Sequence, residues 1–489
     1  MEPANLLGGT WRAPRGDRTI ERVHPTDGRP SHVVTVSSPD DVADAVAVAS
    51  RAAAGWAATP AAERGTALRR WSEALRERRH DLAAAQAEVL GLAAADCLGA
   101  ADAAADGVAQ FAQLGPVHRG RALAGDPGAV DVQVHVARGV VAVIVPWNDP
   151  VPLVTQAVAA NLAVGNVVVV KPSERATPPV LAALRLLVPG GTSPGGSPDG
   201  RGGAGHGASI EPLVPPGVVG VVLGDGETGR RLVADERVGT VLHTGAVDTG
   251  REIAVACARR GAKAILELGG KDPLIVDGDV DPAWAAEQAA VGAFANSGQV
   301  CVSVERIYVV DDVYGPFVEG LVEQAEKRGE MPLVDESHRA AVHGHVAAAL
   351  ATGARAACGG HVPDRPGSWY PATVLVDVDE GMAVVRDETF GPVAPVRRVA
   401  SFDEALTLAA GSPYGLAATV LTRSHEHALR AARTLPVGTV KVNAVFGGAP
   451  GGSAEPHGAS GHGVGYGPEL LDELSRWRVV HWSPPAAAG

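Results

Sequence analysis

Between Val140 and Val442 the chain keeps returning to one pattern, a strand-length run of β-branched residues followed by a segment of helical periodicity. The runs Val140–Val145, Val167–Val170, Val218–Leu223, Thr240–Leu242 and Ala264–Leu266 are continuous rather than alternating. Strands of that kind are buried on both faces, which requires a parallel sheet with helices packed on each side. A second series follows in Leu274–Val276, Arg306–Val310, Val374–Val376, Val393–Val399, Ala417–Leu421 and Thr439–Val442. The fold class is therefore α/β, with two open-sheet domains joined near residues 260–272. The first hundred residues read mostly as helix. Ser38-Pro-Asp-Asp is a capping signal, and Val42, Ala45, Val46, Ala49 and Trp56 form one apolar face behind it. Alanine-rich helical patterns continue to about Phe111, after which Asp131-Val-Gln-Val-His-Val alternates like a half-buried strand.

Several function classes are excluded early. With 42 Lys and Arg against 55 Asp and Glu, the net charge of -13 opposes a nucleic-acid or anionic-membrane surface. Apolar runs stay strand-length, short of the ~18 residues a membrane helix needs. The N-terminus shows no signal-peptide pattern, so a cytoplasmic enzyme is expected. Cys97, Cys257, Cys301 and Cys358 are too dispersed for a disulfide framework. Nine glycines between Gly190 and Gly207 mark a surface insertion at about 189–212 without a packing role.

Chemistry-bearing residues gather at strand ends. Gly224-Asp-Gly-Glu-Thr-Gly229 fits the G-x-G-x-x-G turn that brings backbone N–H groups to a pyrophosphate, or is simply a strand-to-helix turn. An acid about twenty residues on would read a ribose, but His243-Thr244-Gly245 stands there. Lys171-Pro-Ser-Glu174 ends a buried strand and suits a ribose, although a solvated salt pair fits as well. Pro146-Trp-Asn-Asp-Pro150 freezes a turn from which Asn148 can offer its amide N–H to an oxyanion, or serve the turn alone. Glu267-Leu-Gly-Gly-Lys271 ends another strand. Asn296-Ser-Gly-Gln-Val-Cys301 sets a cysteine after a glycine turn, where a lone thiol is usually inert. Glu388-Thr-Phe-Gly-Pro392 completes the set.

Taken together and in this order, these motifs resemble those of the aldehyde dehydrogenase superfamily over nearly the whole chain. The resemblance implies a variant, Rossmann-like cofactor domain over 1–116 and 138–266 and a catalytic domain over 267–447. It also implies an oligomerisation element over 117–137 and 468–489, and a homodimer or homotetramer. It makes Cys301 the nucleophile, Asn148 the oxyanion donor and Glu267 the general base. Lys171 and Glu174 would hold the adenosine ribose, and Glu388 with Phe390 the nicotinamide end. Trp147, Gly224, Gly229, Gly245, Ala246, Gly250 and Leu268 would belong to the cofactor's walls and turns. Ala246 departs from the serine often found there, and the segment 447–467 departs from the family's P-F-G-G pattern. NAD is expected over NADP, because Glu174 would face a 2′-phosphate.

The implied reaction oxidises an aldehyde to its acid through a cysteine thiohemiacetal and thioester. Two alternatives stand beside it. A coenzyme-A-acylating relative would generally lack Glu267, and a non-catalytic binding protein would have lost the nucleophile or the base. Positions matching the family's substrate tunnel are Asp149, Leu153, Gln156, Ala295, Val302 and Phe446, with His457 near its mouth. Asp149 there favours polar or amino-aldehydes over semialdehyde acids; alternatively it turns to solvent and caps the helix that begins by Val151. No metal site is expected: His343 with His345, and His425 with His427, are two apart and diverge on a helix. Cys97, Cys257 and Cys358 read as structural thiols.

Overall fold

A computed structural model describes residues 3–190, 211–448 and 451–484. The glycine-rich insertion at about 189–212 lies almost wholly outside the described residues. The first series of apolar runs forms a parallel sheet in the order Val219–Val221, Val167–Lys171, Val140–Ile144, Val238–Thr244, Lys263–Glu267. Its crossover helices include Pro150–Ala163, Gly226–Ala234 and Val247–Arg259. The valines of the central strands are fully buried, as continuous β-branched runs demand.

Both edges hold what periodicity did not show. Asn5–Leu7 adds antiparallel beside Val219–Val221 and is itself flanked by Thr10–Arg12. Thr19–Val23 and Pro30–Thr35 form a further hairpin. The expectation of a mostly helical beginning thus holds from Pro39 onward and misses four short strands before it. Three-residue strands carry too little pattern to read; long-range bonds fix these, such as Asn5 Oδ1 accepting from Leu223 N and Ser37 Oγ. At the opposite edge Gly461–His462 returns antiparallel to Leu266 and Glu267. The helix Pro39–Ala58 begins with both halves of the Ser38/Asp41 capping box and buries the expected apolar face.

The second series forms its own sheet in the order Thr373–Val376, Val393–Val399, Val304–Val310, Asp272–Val276, Ala417–Leu421, Thr439–Val442, all parallel. Arg355–Cys358 closes one edge antiparallel. Each sheet has its own hydrophobic cores. Glu267 ends the first sheet and Asp272 begins the second, so the Gly269-Gly270 link lies at the carboxyl ends of the first sheet's strands, where open sheets bind ligands. A third, antiparallel sheet joins Arg121–Ala122, Val130–Ala137 and Ser475–Trp482. Among the described residues no single helix is long and apolar enough to cross a membrane.

Candidate active site

Two adjoining cavities open along the carboxyl ends of the first sheet. The larger, about 510 Å³, is walled by Trp147, Lys171, Glu174, Gly226, Gly229, His243, Gly245 and Ala246, among others. The second, about 310 Å³, shares Trp147, Gly245 and Ala246 and continues to Asn148, Leu153, Glu267, Leu268, Cys301, Glu388 and Phe390. Residues from all the sequence motifs thus converge on one cleft, within the size range of cofactor sites.

In the larger cavity, Lys171 Nζ donates to the carbonyls of Pro172 and Gly224 and lies 4.0 Å from Glu174 Oε2. Burial pulls the Lys171 ammonium below its usual range, against the opposing pull of Glu174 and Asp225. Gly224 meets the cleft only through Lys171, whereas Gly229 lies against the lysine's stem. The helix Gly226–Ala234 spends its first N–H groups on Asp225, which accepts from Glu227 N and pairs with Arg18. The helix Val247–Arg259 differs: Ala246 occupies its N-cap and supplies no capping side chain. Gly245, Ala246 and Thr249 line the cleft, so this uncapped helix end suits a phosphate. Gly250 abuts Leu268, where an added Cβ would sit 2.4 Å from Cδ2. Donor set, uncapped helix end and cavity size together fit a dinucleotide.

The cysteine loop is wound unusually. Asn296, Ser297 and Gly298 have φ of 50°, 59° and 71°, a left-handed turn that L-residues resist. It is held by Asn296 Nδ2 donating to the carbonyls of Asn148 and Gln299. Asn148 Nδ2 donates to the same Gln299 carbonyl at 3.1 Å, which orients the amide and leaves its second proton for the cleft. Gly298 cannot carry a side chain, because a Cβ would lie 2.1 Å from the Gly391 carbonyl oxygen.

Electrostatics set the protonation states. Burial, reinforced by Asp272, Glu267, Glu388 and Asp149, pushes the Cys301 thiol up to about 12. Burial also pushes Glu267 up to about 8, although Gly465 N–H donates to its Oε1 at 2.8 Å. Glu388 rises to about 8 through burial and neighbouring Glu305, while Gly270 N–H donates to its Oε1. A cation that sequence reading did not single out, Lys441, reaches Asp272 and Cys301 electrostatically; its Nζ donates to the Val445 carbonyl.

The loop Glu388–Phe390 hangs on another residue missed in the sequence. Glu305 is buried, pairs with fully buried Lys271 at 2.7 Å, and accepts the N–H groups of Thr389 and Phe390 at 2.8 Å each. Its signal was a charge inside an apolar strand, which demands a partner. Phe390, at φ 54°, also lends its carbonyl to His338 and meets Trp147 edge-on at 5.6 Å.

Of the expected substrate residues, only Leu153 walls the cleft. Asp149 occupies the N-cap of Pro150–Ala163, but its side chain makes no capping bond and accepts instead from Gln86 Nε2 at 3.2 Å. The solvent-facing cap reading is thereby corrected; burial pushes this carboxyl up to about 6. Gln156 turns to the Ala103 carbonyl beside Gly107. Val302 and Ala295 are half-buried, Phe446 lies under Lys441, and His457 is exposed on a strand paired with Tyr414–Gly415. His343 and His345 bond to Tyr370 and Thr389 respectively, in keeping with their divergence. Cys97 and Cys257 are buried free thiols and Cys358 is half-buried.

The sequence model of the aldehyde dehydrogenase family matches residues 11–480. The chain is 32% identical to succinate-semialdehyde dehydrogenase [NADP(+)] GabD of Escherichia coli (strain K12), over 90% of this chain and 89% of that one. It is 33% identical to benzaldehyde dehydrogenase [NAD(+)] of Pseudomonas putida, over 96% and 95%. The crystal structure of lactaldehyde dehydrogenase from Escherichia coli superposes with a TM-score of 0.90 at 30% identity, covering 99% of both chains.

Proposed function

The chain belongs to the aldehyde dehydrogenase family, and from that premise we propose the roles of its residues in the NAD(P)-dependent oxidation of an aldehyde to a carboxylic acid. The observation that carries the assignment is the convergence of Cys301, Asn148 and Glu267 on one cavity that continues into the dinucleotide-sized cleft. Cys301 releases its thiol proton to solvent and adds its thiolate to the carbonyl carbon. The oxyanion is received by the free Asn148 amide proton and the Cys301 backbone N–H. A nicotinamide held between Glu388, Phe390 and Trp147 would supply the hydride acceptor and a positive charge that favours the thiolate. Loss of hydride from the thiohemiacetal leaves a thioester on Cys301. Glu267, once ionised, takes a proton from water, whose oxygen attacks the thioester carbonyl; the acid leaves and the thiol is restored. Glu267 also speaks against passing the acyl group to coenzyme A. Cys301→Ala tests the reading: it is expected to abolish oxidation with NAD binding intact, whereas steady turnover in that variant would refute it.

NAD is the preferred cofactor in this reading. Glu174 faces the larger cavity, and the adjacent Arg175 pairs with Asp335 at 2.8 Å instead of compensating a 2′-phosphate. Polar or amino-aldehydes are the preferred substrates in this reading, through the charge of Asp149, which follows the oxyanion donor Asn148 in the chain and is held by Gln86 behind the cleft wall. A second copy of the chain covers the third sheet, in a cytoplasmic homodimer or homotetramer. Among the described residues the outer edge of Ser475–Trp482 is unpaired and exposes Val479 and Trp482, a strand edge that invites pairing. On this division 1–116 with 138–266 binds the cofactor, 267–447 carries the thiol, and 117–137 with 468–489 assembles the oligomer.

A further inference from the structure

Away from the cleft, three side chains are arranged as metal ligands are. His118 follows the turn Gly115–Val117, His135 lies on the strand Val130–Ala137, and Asp472 on the short helix Leu470–Glu473. Nε2 of His118 stands 2.8 Å, and Nε2 of His135 3.5 Å, from the same oxygen, Asp472 Oδ1. Tetrahedral zinc with bonds of about 2.0–2.1 Å sets its ligand atoms roughly 3.3 Å apart, a span those two distances bracket.

The hydrogen bonds around His135 decide where its proton sits. Ser475 Oγ donates to the Leu471 carbonyl at 2.8 Å. Its 2.8 Å contact with His135 Nδ1 must then be an imidazole N–H donating to the hydroxyl oxygen. A proton on Nδ1 leaves the Nε2 lone pair of the neutral ring 3.5 Å from Asp472 Oδ1, which itself accepts from His118 Nε2 at 2.8 Å. Fixing the far ring nitrogen through a hydrogen bond is how metal-bound histidines are oriented. The ring is also clamped, 3.8 Å from His118 and 3.6 Å from Trp477 between centroids, with Arg121 over the tryptophan. A cavity of about 310 Å³ gives access.

We propose that His118, His135 and Asp472 bind one borderline divalent cation of the Zn²⁺ class, with water in the fourth position. Closing on the ion asks the two rings, tilted by 32°, to rotate further apart. The ion would tie the arm carrying Arg121–Ala122 and Val130–Ala137 to the C-terminal segment, so that binding adds to stability.

The test uses untagged full-length protein stripped with a chelator. Zn²⁺ uptake is followed calorimetrically, Co²⁺ by its visible spectrum, and Tm with and without Zn²⁺. Expected are one Zn²⁺ per chain, a higher Tm with the metal, and a Co²⁺ spectrum lacking a thiolate band. His135→Phe keeps the ring stack, and Asp472→Asn alters a side chain 57% exposed, so both should fold and both should lose uptake. Ser475→Ala should weaken it about tenfold or more. Uptake unchanged in His135→Phe, uptake lost in Cys301→Ala, or none in the parent overturns the proposal.

Discussion

Glu267→Gln should slow the enzyme and stabilise it, each with its own dependence on pH. The carboxyl titrates near 8 in the folded chain because burial disfavours its charge. As a base it must be ionised. With that value roughly 9% is ionised at pH 7 and about 91% at pH 9, so thioester hydrolysis should rise about tenfold between them. The stability effect runs the other way. A folded pKa raised from the ordinary 4.5 means the fold favours the protonated form. Stability is fully present below 4.5, falls as pH climbs from there to about 8, and stays lower above it. At about 1.4 kcal/mol per tenfold, the loss by pH 9 is on the order of 4–5 kcal/mol. Glutamine keeps an acceptor for Gly465 N–H and cannot ionise. For 489 residues at roughly 2.1 cal/mol/K each, about 4 kcal/mol is worth about 4 °C in a cooperative transition. Scanning calorimetry should therefore place the Gln variant several degrees above the parent at pH 9 and level with it at pH 5. Rapid-mixing assays should show acyl-enzyme accumulating without the pH-dependent limb. A Tm difference independent of pH, or a variant keeping the parent's hydrolysis profile, would refute the reasoning.

Three further outcomes follow from particular contacts. Glu305→Gln should cost about 3–5 kcal/mol, since it strands buried Lys271, and it should raise KM for NAD by loosening Glu388–Phe390; denaturant melts and initial rates check both. The parent should use NAD with higher kcat/KM than NADP, and Glu174→Gln should narrow the ratio; a tenfold NADP advantage in the parent would remove Glu174 from the ribose. Asp149→Asn should raise KM several-fold for an amino-aldehyde and spare a neutral aldehyde of similar length, whereas equal effects on both would sink the charge reading.

What the sequence revealed, and what it hid, follows from the range of the interactions involved. Val167–Val170 and Val140–Ile144 could be placed from composition alone, because burial on both faces writes itself into every residue. Asn5–Leu7 could not, since three residues hold no period and the strand exists through bonds to residues near 223. The same division runs through the site. Asn148 and Glu267 were legible because their motifs follow strand ends, which in an open sheet share one crevice, and Cys301 because its motif completes the family resemblance. Glu305 was not, since its task is to bind backbone N–H groups more than eighty positions away.

The protonation states lay still further from view. The family resemblance implies that Glu267 is a base yet cannot say that burial raises its pKa to about 8, because its environment comes from Gly465 and from walls distant in sequence. Asp149 shows the converse. Its place after Pro146-Trp-Asn suggested either a tunnel wall or a helix cap, and both readings assumed that the nearest structure decides. The deciding partner is Gln86, on a helix sixty-three positions earlier, which draws the carboxyl away from the cap position and keeps it buried. Burial then raises the carboxyl to about 6, a shift that the motif alone does not show. The orientation of Asp149 therefore follows from the Gln86 contact and not from the motif itself.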